Sequence, residues 1–262
     1  MVGRSLGLML AYFKLNLAAS MEYRASFLAQ SVGMALNDAL AFFFWWVYFQ
    51  HFPQVGGWSL RDLFLLWGIL ATSVGVASVV FGNAHRLSNV ISQGQLDYYL
   101  GLPWNPLLHV LVSRTSLAGW GDVWFGLAAF GVAAWLGMLP LGLAAILTAF
   151  STAVVIGFVV LVGSLAFFIG NAEAAAFQAR DALILFSIYP GSIFQGWAKL
   201  LLMTLIPAGF MTHIPVELLR EFDPGKMALL VAFTSVLWLV AICVFQMGLR
   251  RYESGNLIGL RG

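Results

Sequence analysis

"LRDLFLLWGILATSVGVASVVF", residues 60–81, carries two charges, Arg61 and Asp62, at its start and none in the remainder. A helix rises about 1.5 Å per residue, so a run of this length covers the roughly 30 Å hydrocarbon core of a bilayer. It reads as one membrane span. Working outward, the run at 25–49 is a second, ending in the aromatic cluster "FFFWWVYF" (Phe42 to Phe49) of the kind found at membrane interfaces. Further spans are expected at 117–139, 141–169, 174–194 and 227–249. The composition agrees, being 61% hydrophobic and 9% charged, against about 25% charged in soluble domains. The expected fold class is an all-α polytopic membrane protein with six transmembrane helices.

The connections are as informative as the spans. Before the first, Leu6, Leu10, Phe13 and Leu17 recur at helical spacing while Lys14 and Asn16 point elsewhere, which predicts an N-terminal interfacial helix over 1–24 rather than a cleaved signal. The remainder, 25–262, reads as a single transmembrane domain. Between the second and third spans, segment 83–106 contains "SNVISQGQLDYYLGLPWNP" (Ser88 to Pro106). There Leu87, Val90, Ile91, Gly94 and Tyr98 share one helical face, giving an amphipathic helix. Between the fifth and sixth, segment 196–222 holds two short apolar pieces divided by Pro207 and Pro215. Neither piece can cross alone, and a re-entrant hairpin is expected.

With both termini on one side, that side collects Arg4, Lys14, Arg24, Arg86, Arg114, Arg180, Arg250, Arg251 and Arg261, against Arg61, Lys199, Arg220 and Lys226 on the other. The richer side, and with it segment 83–106 and both termini, is expected in the cytoplasm. No internal repeat of the kind common in secondary transporters is evident.

Little in the chain resembles catalytic machinery. The one cysteine, Cys243, excludes an intrachain disulfide and a cysteine-rich metal site. His51, His85, His109 and His213 have no i, i+4 pairing and no ligand cluster, so no metal is expected. No serine stands in a G-x-S-x-G frame. The net charge of +2 is too small and too scattered for nucleic acid. Asp38, beside Asn37 in the first span, must face protein or water; it is either a pathway residue meeting cationic cargo or a carboxyl satisfied within its own bundle. Asp122 is expected near the interface, and Glu217, Glu221 and Asp223 form an acidic rim.

Several local motifs together resemble the ATP-binding-cassette (ABC) type 2 transporter permeases, in particular a small bacterial branch similar to viologen and daunorubicin exporters. These are "EYR" (Glu22 to Arg24) before the first span, "ISQGQLDYYLGLPWNP" (Ile91 to Pro106), "YPGSIF" (Tyr189 to Phe194) followed by Ile206 and Pro207, and "RYESGN" (Arg251 to Asn256). Gly101 and Leu102 depart from the family pattern, which often has a basic residue before the proline.

The resemblance implies a multi-pass permease of the bacterial inner membrane, both termini cytoplasmic, working as a dimer with itself or a sister permease. It has no enzyme activity and no cofactor of its own. ATP is bound by a separate ABC ATPase subunit, and no phosphate-binding loop of the G-x-x-x-x-G-K-[ST] type occurs in the chain. Segment 83–106 becomes the coupling helix, with Leu87, Val90, Ile91, Gly94, Leu96, Asp97, Tyr98 and Tyr99 as ATPase-docking residues. By periodicity alone the segment fits equally a loop with headgroup-anchored tyrosines. The implied function is an exporter, with hydrophobic or cationic drug-like compounds as cargo. The rival readings are a proton-coupled secondary transporter using Asp38 and Asp122, and an intramembrane enzyme using His109 or His213.

Overall fold

The computed structural model describes residues 2–103, 105–138, 140–169 and 172–252. Trp104, Arg261 and residues 253–256 of the "RYESGN" motif lie outside them. Apart from one isolated bridge between Val55 and Trp58, every regular element among the described residues is helical. Helix α1 (Val2–Glu22) is followed, after a break at Tyr23, by α2 (Arg24–His51). Helix α3 (Leu60–Val80) begins where Asp62 accepts hydrogen bonds from the Ser59 backbone N–H and hydroxyl, both 2.8 Å. These two interactions close the helix start as a capping box does.

Beyond a 3₁₀ turn at Gly82–Arg86 come three short helices, α4 (Leu87–Ser92), α5 (Leu96–Leu100) and α6 (Pro106–Val112). The long α7 (Gly119–Trp135) then returns along α3. Helices α8 (Leu141–Ser164) and α9 (Ala166–Ile169) make one long run, and α10 (Glu173–Ser187) follows. Next are α11 (Gly196–Thr204) and α12 (Ile214–Arg220), the latter entered through a π turn at Gly209–His213. Helix α13 (Pro224–Leu249) starts on an Asp223 cap that accepts from the Gly225 and Lys226 N–H groups.

Among the described residues, four helices are long and apolar enough to cross a membrane: α2, α3, the α8–α9 run and α13. The α11 and α12 pair is bent by 78° and together would make a fifth. Helix α7 has 17 residues and α10 has 15. Three expectations are corrected here. The single helix expected between the second and third spans is two, because Gly94 adopts φ 71° between α4 and α5, a conformation that ends an α-helix. The fifth expected span stops at Ser187 rather than 194, since the chain turns at Pro190 and Gly191–Ile193 is a 3₁₀ turn. Pro215 divides nothing: it sits in the first turn of α12, where proline is tolerated, and the break lies beside Pro207.

Helix α3 is the central pillar, with 83% of its apolar window buried against 17% for α2. What lets α7 approach it is glycine. Gly68 faces the Phe130 ring, Gly126 lies on the Thr72 backbone, and Gly75 lies against Gly119 and Val123. A Cβ on Gly75 would stand 2.6 Å from the Val123 nitrogen. At the end where α3 finishes, Ser116 N–H donates to Ser78 O at 2.9 Å and Thr115 Oγ1 to Val79 O at 2.8 Å. Close backbone approach through small residues is how helices associate where lipid supplies no hydrophobic drive.

A test uses glycines of opposite surroundings. Gly75→Ala is expected to cost about 1–3 kcal/mol of stability in detergent. Gly131→Ala, which has nothing within 4 Å of the added carbon, is expected to be neutral or stabilising by up to about 1 kcal/mol. Equal behaviour of the two in thermal unfolding would refute the close-approach account.

Candidate functional site

The polar segment at the end of α3 is clipped at both ends. Asn83 Nδ2 donates to Val110 O at 3.0 Å and to Ser113 Oγ at 2.9 Å, and the Tyr99 hydroxyl meets the same Ser113 hydroxyl at 3.1 Å. Asn105 caps α6 by accepting from the Leu107 and Leu108 N–H groups. Leu87, Val90, Ile91 and Leu96 all point into the core. Four of the eight residues expected to dock a partner are therefore anchors to the bundle. The accessible side of the segment carries Gln93, Gln95, Asp97, Tyr98 and Leu100, with Tyr98 70% exposed. Tyr99, half-buried, packs edge-on against Tyr98 at 5.2 Å.

The segment also reaches other elements. Asn89 Nδ2 donates to Glu173 Oε2 at 3.0 Å, at the start of α10. Tyr252, just past α13, lies beside Asp97; burial and then the Asp97 carboxylate push its hydroxyl up to about 12. Helix α1 is tied down by Tyr12, whose hydroxyl lies 3.1 Å from His109 Nδ1, and by Asn16 Nδ2, which donates to Val112 O at 3.3 Å. Leu6, Leu10 and Leu15 remain exposed along α1. Burial pushes His85, in the 3₁₀ turn, down to about 3, and the nearby Arg180 guanidinium adds to the effect.

Asp38 and Asp122, read separately in the sequence, are neighbours. Both are buried, at 7% and 5% exposure, with Asp122 in the first turn of α7. They approach closely enough for the side chains to interact, and Asp38 Oδ2 is enclosed without a further partner. Arg180, paired with Asp181 at 3.5 Å, contributes the nearest opposite charge to Asp122. One turn along, Phe42 of α2, Trp67 of α3 and Phe125 of α7 pack their rings together at 5.6–6.2 Å. The pair is a polar contact between α2 and α7 inside the bundle.

The opposite end of the bundle holds a cleft of about 780 Å³ lined by Trp58, Lys199, His213, Glu217, Arg220 and Lys226 among others. Three of its charged side chains, Arg220, Lys226 and Glu217, are already paired. Arg220 reaches Asp62 at 3.2 Å, Gly57 O at 3.1 Å and the Trp58 ring face, while Lys226 meets Glu217 at 2.6 Å. The expected acidic rim is thus partly neutralised. His213 bonds to Tyr189 O at 3.0 Å and stacks on Phe194. It lies far along the bundle from His109, and among the described residues no group of three or more metal-ligating side chains gathers. Asn89 with Glu173, and Arg180 with His85, were not singled out from sequence. Only contact across 84 and 95 positions joins them, and no local pattern signals that.

A family model described as ABC-2 family transporter protein matches residues 35–256. The match covers the paired aspartates, the polar segment and the bent helix pair. No curated protein and no solved structure matches the chain.

The neutral His85, half-buried with both ring nitrogens enclosed, makes a pH-dependent prediction. In the unfolded chain it takes a proton near its ordinary 6.5; in the folded chain it does not until about 3. Its contribution to stability is therefore intact above 6.5 and lost as pH falls from 6.5 toward 3. Between pH 7.5 and 5.5 the wild type is expected to lose about 1 kcal/mol more than His85→Gln in detergent unfolding. Parallel pH profiles for the two proteins would count against a neutral, enclosed His85.

Proposed function

This chain belongs to the ABC-2 transporter family, and from that premise we propose that it is the membrane-spanning permease of an exporter driven by a separate ATPase. ABC-2 membrane subunits carry no catalytic site of their own and generally work with an ATPase subunit. The observation that carries the assignment of a docking site is the two-sided character of segment 83–106. One side is fastened by Leu87, Val90, Ile91 and Leu96, and the other presents Asp97, Tyr98 and Leu100 to the surroundings. An exposed aromatic on a helix anchored from behind suits recognition by another protein, because motion imposed on it is passed to the bundle rather than absorbed.

In this reading the chain crosses six times, α7 and α10 completing the set begun by the four long helices. Seventeen residues lie at the lower limit for a span, and α10, with 15, completes its crossing with the residues that flank it. Residues 1–24 lie in the interface and 25–262 form one transmembrane domain, with both termini in the cytoplasm of a bacterial inner membrane. Two permeases, identical or sister, enclose the pathway. Helix α2 supports this, since Leu36, Leu40, Phe43 and Phe44 stand exposed and remain to be covered by lipid or a second permease. Closure of the ATPases on ATP would move the two halves alternately. Hydrophobic or cationic drug-like compounds, as in the viologen- and daunorubicin-exporter branch, are the proposed cargo.

The contact between Asp38 and Asp122 supports a second reading, proton-coupled transport, because paired intramembrane carboxyls are a common proton site. The two readings separate in sealed vesicles: uptake driven by ATP with the ATPase present, or uptake driven by a pH gradient without it.

The docking surface is tested by Tyr98→Ala and Asp97→Ala, with co-purification and affinity of the ATPase as readout. Tyr98→Ala is expected to weaken binding by about tenfold or more, as for an interface anchor. Unchanged affinity and unchanged transport in both variants would remove the segment from the interface.

A further inference from the structure

Helix α10 joins the two least regular parts of the molecule. At its first residue Glu173 accepts from Asn89 at 3.0 Å, and Asn89 is 9% exposed with its Oδ1 enclosed and unpartnered. At its last residue, Ser187 Oγ, which donates to Leu183 O at 2.7 Å, lies 3.3 Å from Met211 Sδ, and Thr212 Oγ1 donates to Ser187 O at 3.3 Å. His213 then meets Tyr189 O just beyond the helix. Met211, Thr212 and His213 belong to the π turn that sets the bend between α11 and α12. Such turns are uncommon and are concentrated at functional positions.

Between these two joints α10 runs unbroken for 15 residues, about 22 Å. Only Leu183 and Ser187 are buried among them, and Phe177 and Leu185 stand exposed. It is held at its ends, and between them one face packs on the core through Leu183, Ile184 and Phe186. The α3–α7 pair is tighter, locked by backbone contact at Gly75, Gly119 and Gly126. Displacement of α4 at Asn89 therefore meets a stiff pair on one side and, on the other, a rod packed on one face only.

We propose that α10 carries motion of the α4–α5 segment to the bent α11–α12 pair, with Asn89 and Glu173 as the near joint and Thr212 and Ser187 as the far joint. The proposal rests on the reading of the chain as an ATPase-driven permease. Glu173 and Thr212 are positioning residues: they touch neither cargo nor nucleotide, and they decide whether the bend responds to events at the other end of the helix.

The experiment uses the permease purified with its bound ATPase. Cys243, which is exposed, is first replaced by serine. Leu205→Cys then places one thiol in the break between α11 and α12, where Leu205 is 67% exposed. The rate of labelling by a membrane-impermeant maleimide is measured with and without magnesium ATP. In this parent the rate is expected to change by about fivefold on adding ATP. Glu173→Ala and Thr212→Val are each expected to abolish that change while the ATPase stays bound and hydrolyses ATP. Glu173→Gln, whose amide oxygen still accepts from Asn89, is expected to keep it. Full retention of the ATP-dependent change in Glu173→Ala and Thr212→Val would overturn the proposal. Loss of ATPase binding in Glu173→Ala would also overturn it, by making Glu173 part of the docking surface. A parent with no bound ATPase, or with no response to ATP, would overturn the permease reading and the rod with it.

Discussion

Direct backbone contact between α3 and α7 is the constraint on which the remaining packing depends. In lipid the apolar side chains of two helices gain nothing by leaving one environment for another like it, so association rests on close approach and on polar contacts. Gly68, Gly75 and Gly82 on one side, and Gly119 and Gly126 on the other, remove the side chains that would hold the axes apart. Phe130 fills the space over Gly68, and Gly82 brings the end of α3 onto the Arg114 to Ser116 backbone. With this pair fixed, α8 packs on one flank of α3 and α2 on α7, and α13 reaches the bundle through α8.

Many of the polar groups inside that frame find their partners within the chain. Thr148, Ser164, Ser187 and Thr234 donate to the carbonyl four residues earlier in their own helices, and Trp238 Nε1 donates across to Ala153 O at 3.0 Å. Ser31 Oγ reaches Leu117 O at 2.9 Å, tying α2 to the start of α7. The Asp38 and Asp122 contact extends the same seam one level deeper. A carboxyl buried there needs a hydrogen-bonding partner, and the facing carboxyl on the neighbouring helix supplies one.

Much of this was legible in sequence because apolar length is a one-dimensional property. Leu60–Val80 and Pro224–Leu249 begin and end within a few residues of the apolar runs at 60–81 and 227–249, and the caps at Ser59 and Asp223 are of the usual chemical kind. What escaped was two-dimensional or depended on a single torsion. Gly94 splits the polar segment through its φ angle, which composition does not display. The inward turn of Leu87, Val90, Ile91 and Leu96 is visible as a stripe, but a stripe does not say whether it meets the chain's own core or another protein. The seven-residue spacing of Gly68, Gly75 and Gly82, repeated by Gly119, Gly126 and Ala133, was present in the sequence. Reading for hydrophobic length passes over it, since glycine adds little to either side of that count.

The same spacing bears on how such a molecule can move. A helix pair locked by glycines has no intermediate packing to slide into, because a small shift along the axis would drive Val123 or Phe130 into the facing backbone. In the proposed permease, alternating access would therefore be distributed unevenly. Its α2, α3 and α7 form the tightly packed body, joined by α12 through the buried Val216, Leu218 and Leu219, while α10 and α11, each exposed over much of its surface and set off from α12 by the 78° bend, form the part left freer to move. The polar segment touches both: Asn83 and Tyr99 fix it to Ser113 beside the rigid body, and Asn89 hands it to α10. A segment attached to a stiff element on one side and a compliant one on the other converts a push into relative motion of the two, which a uniformly packed bundle of the same helices would not do.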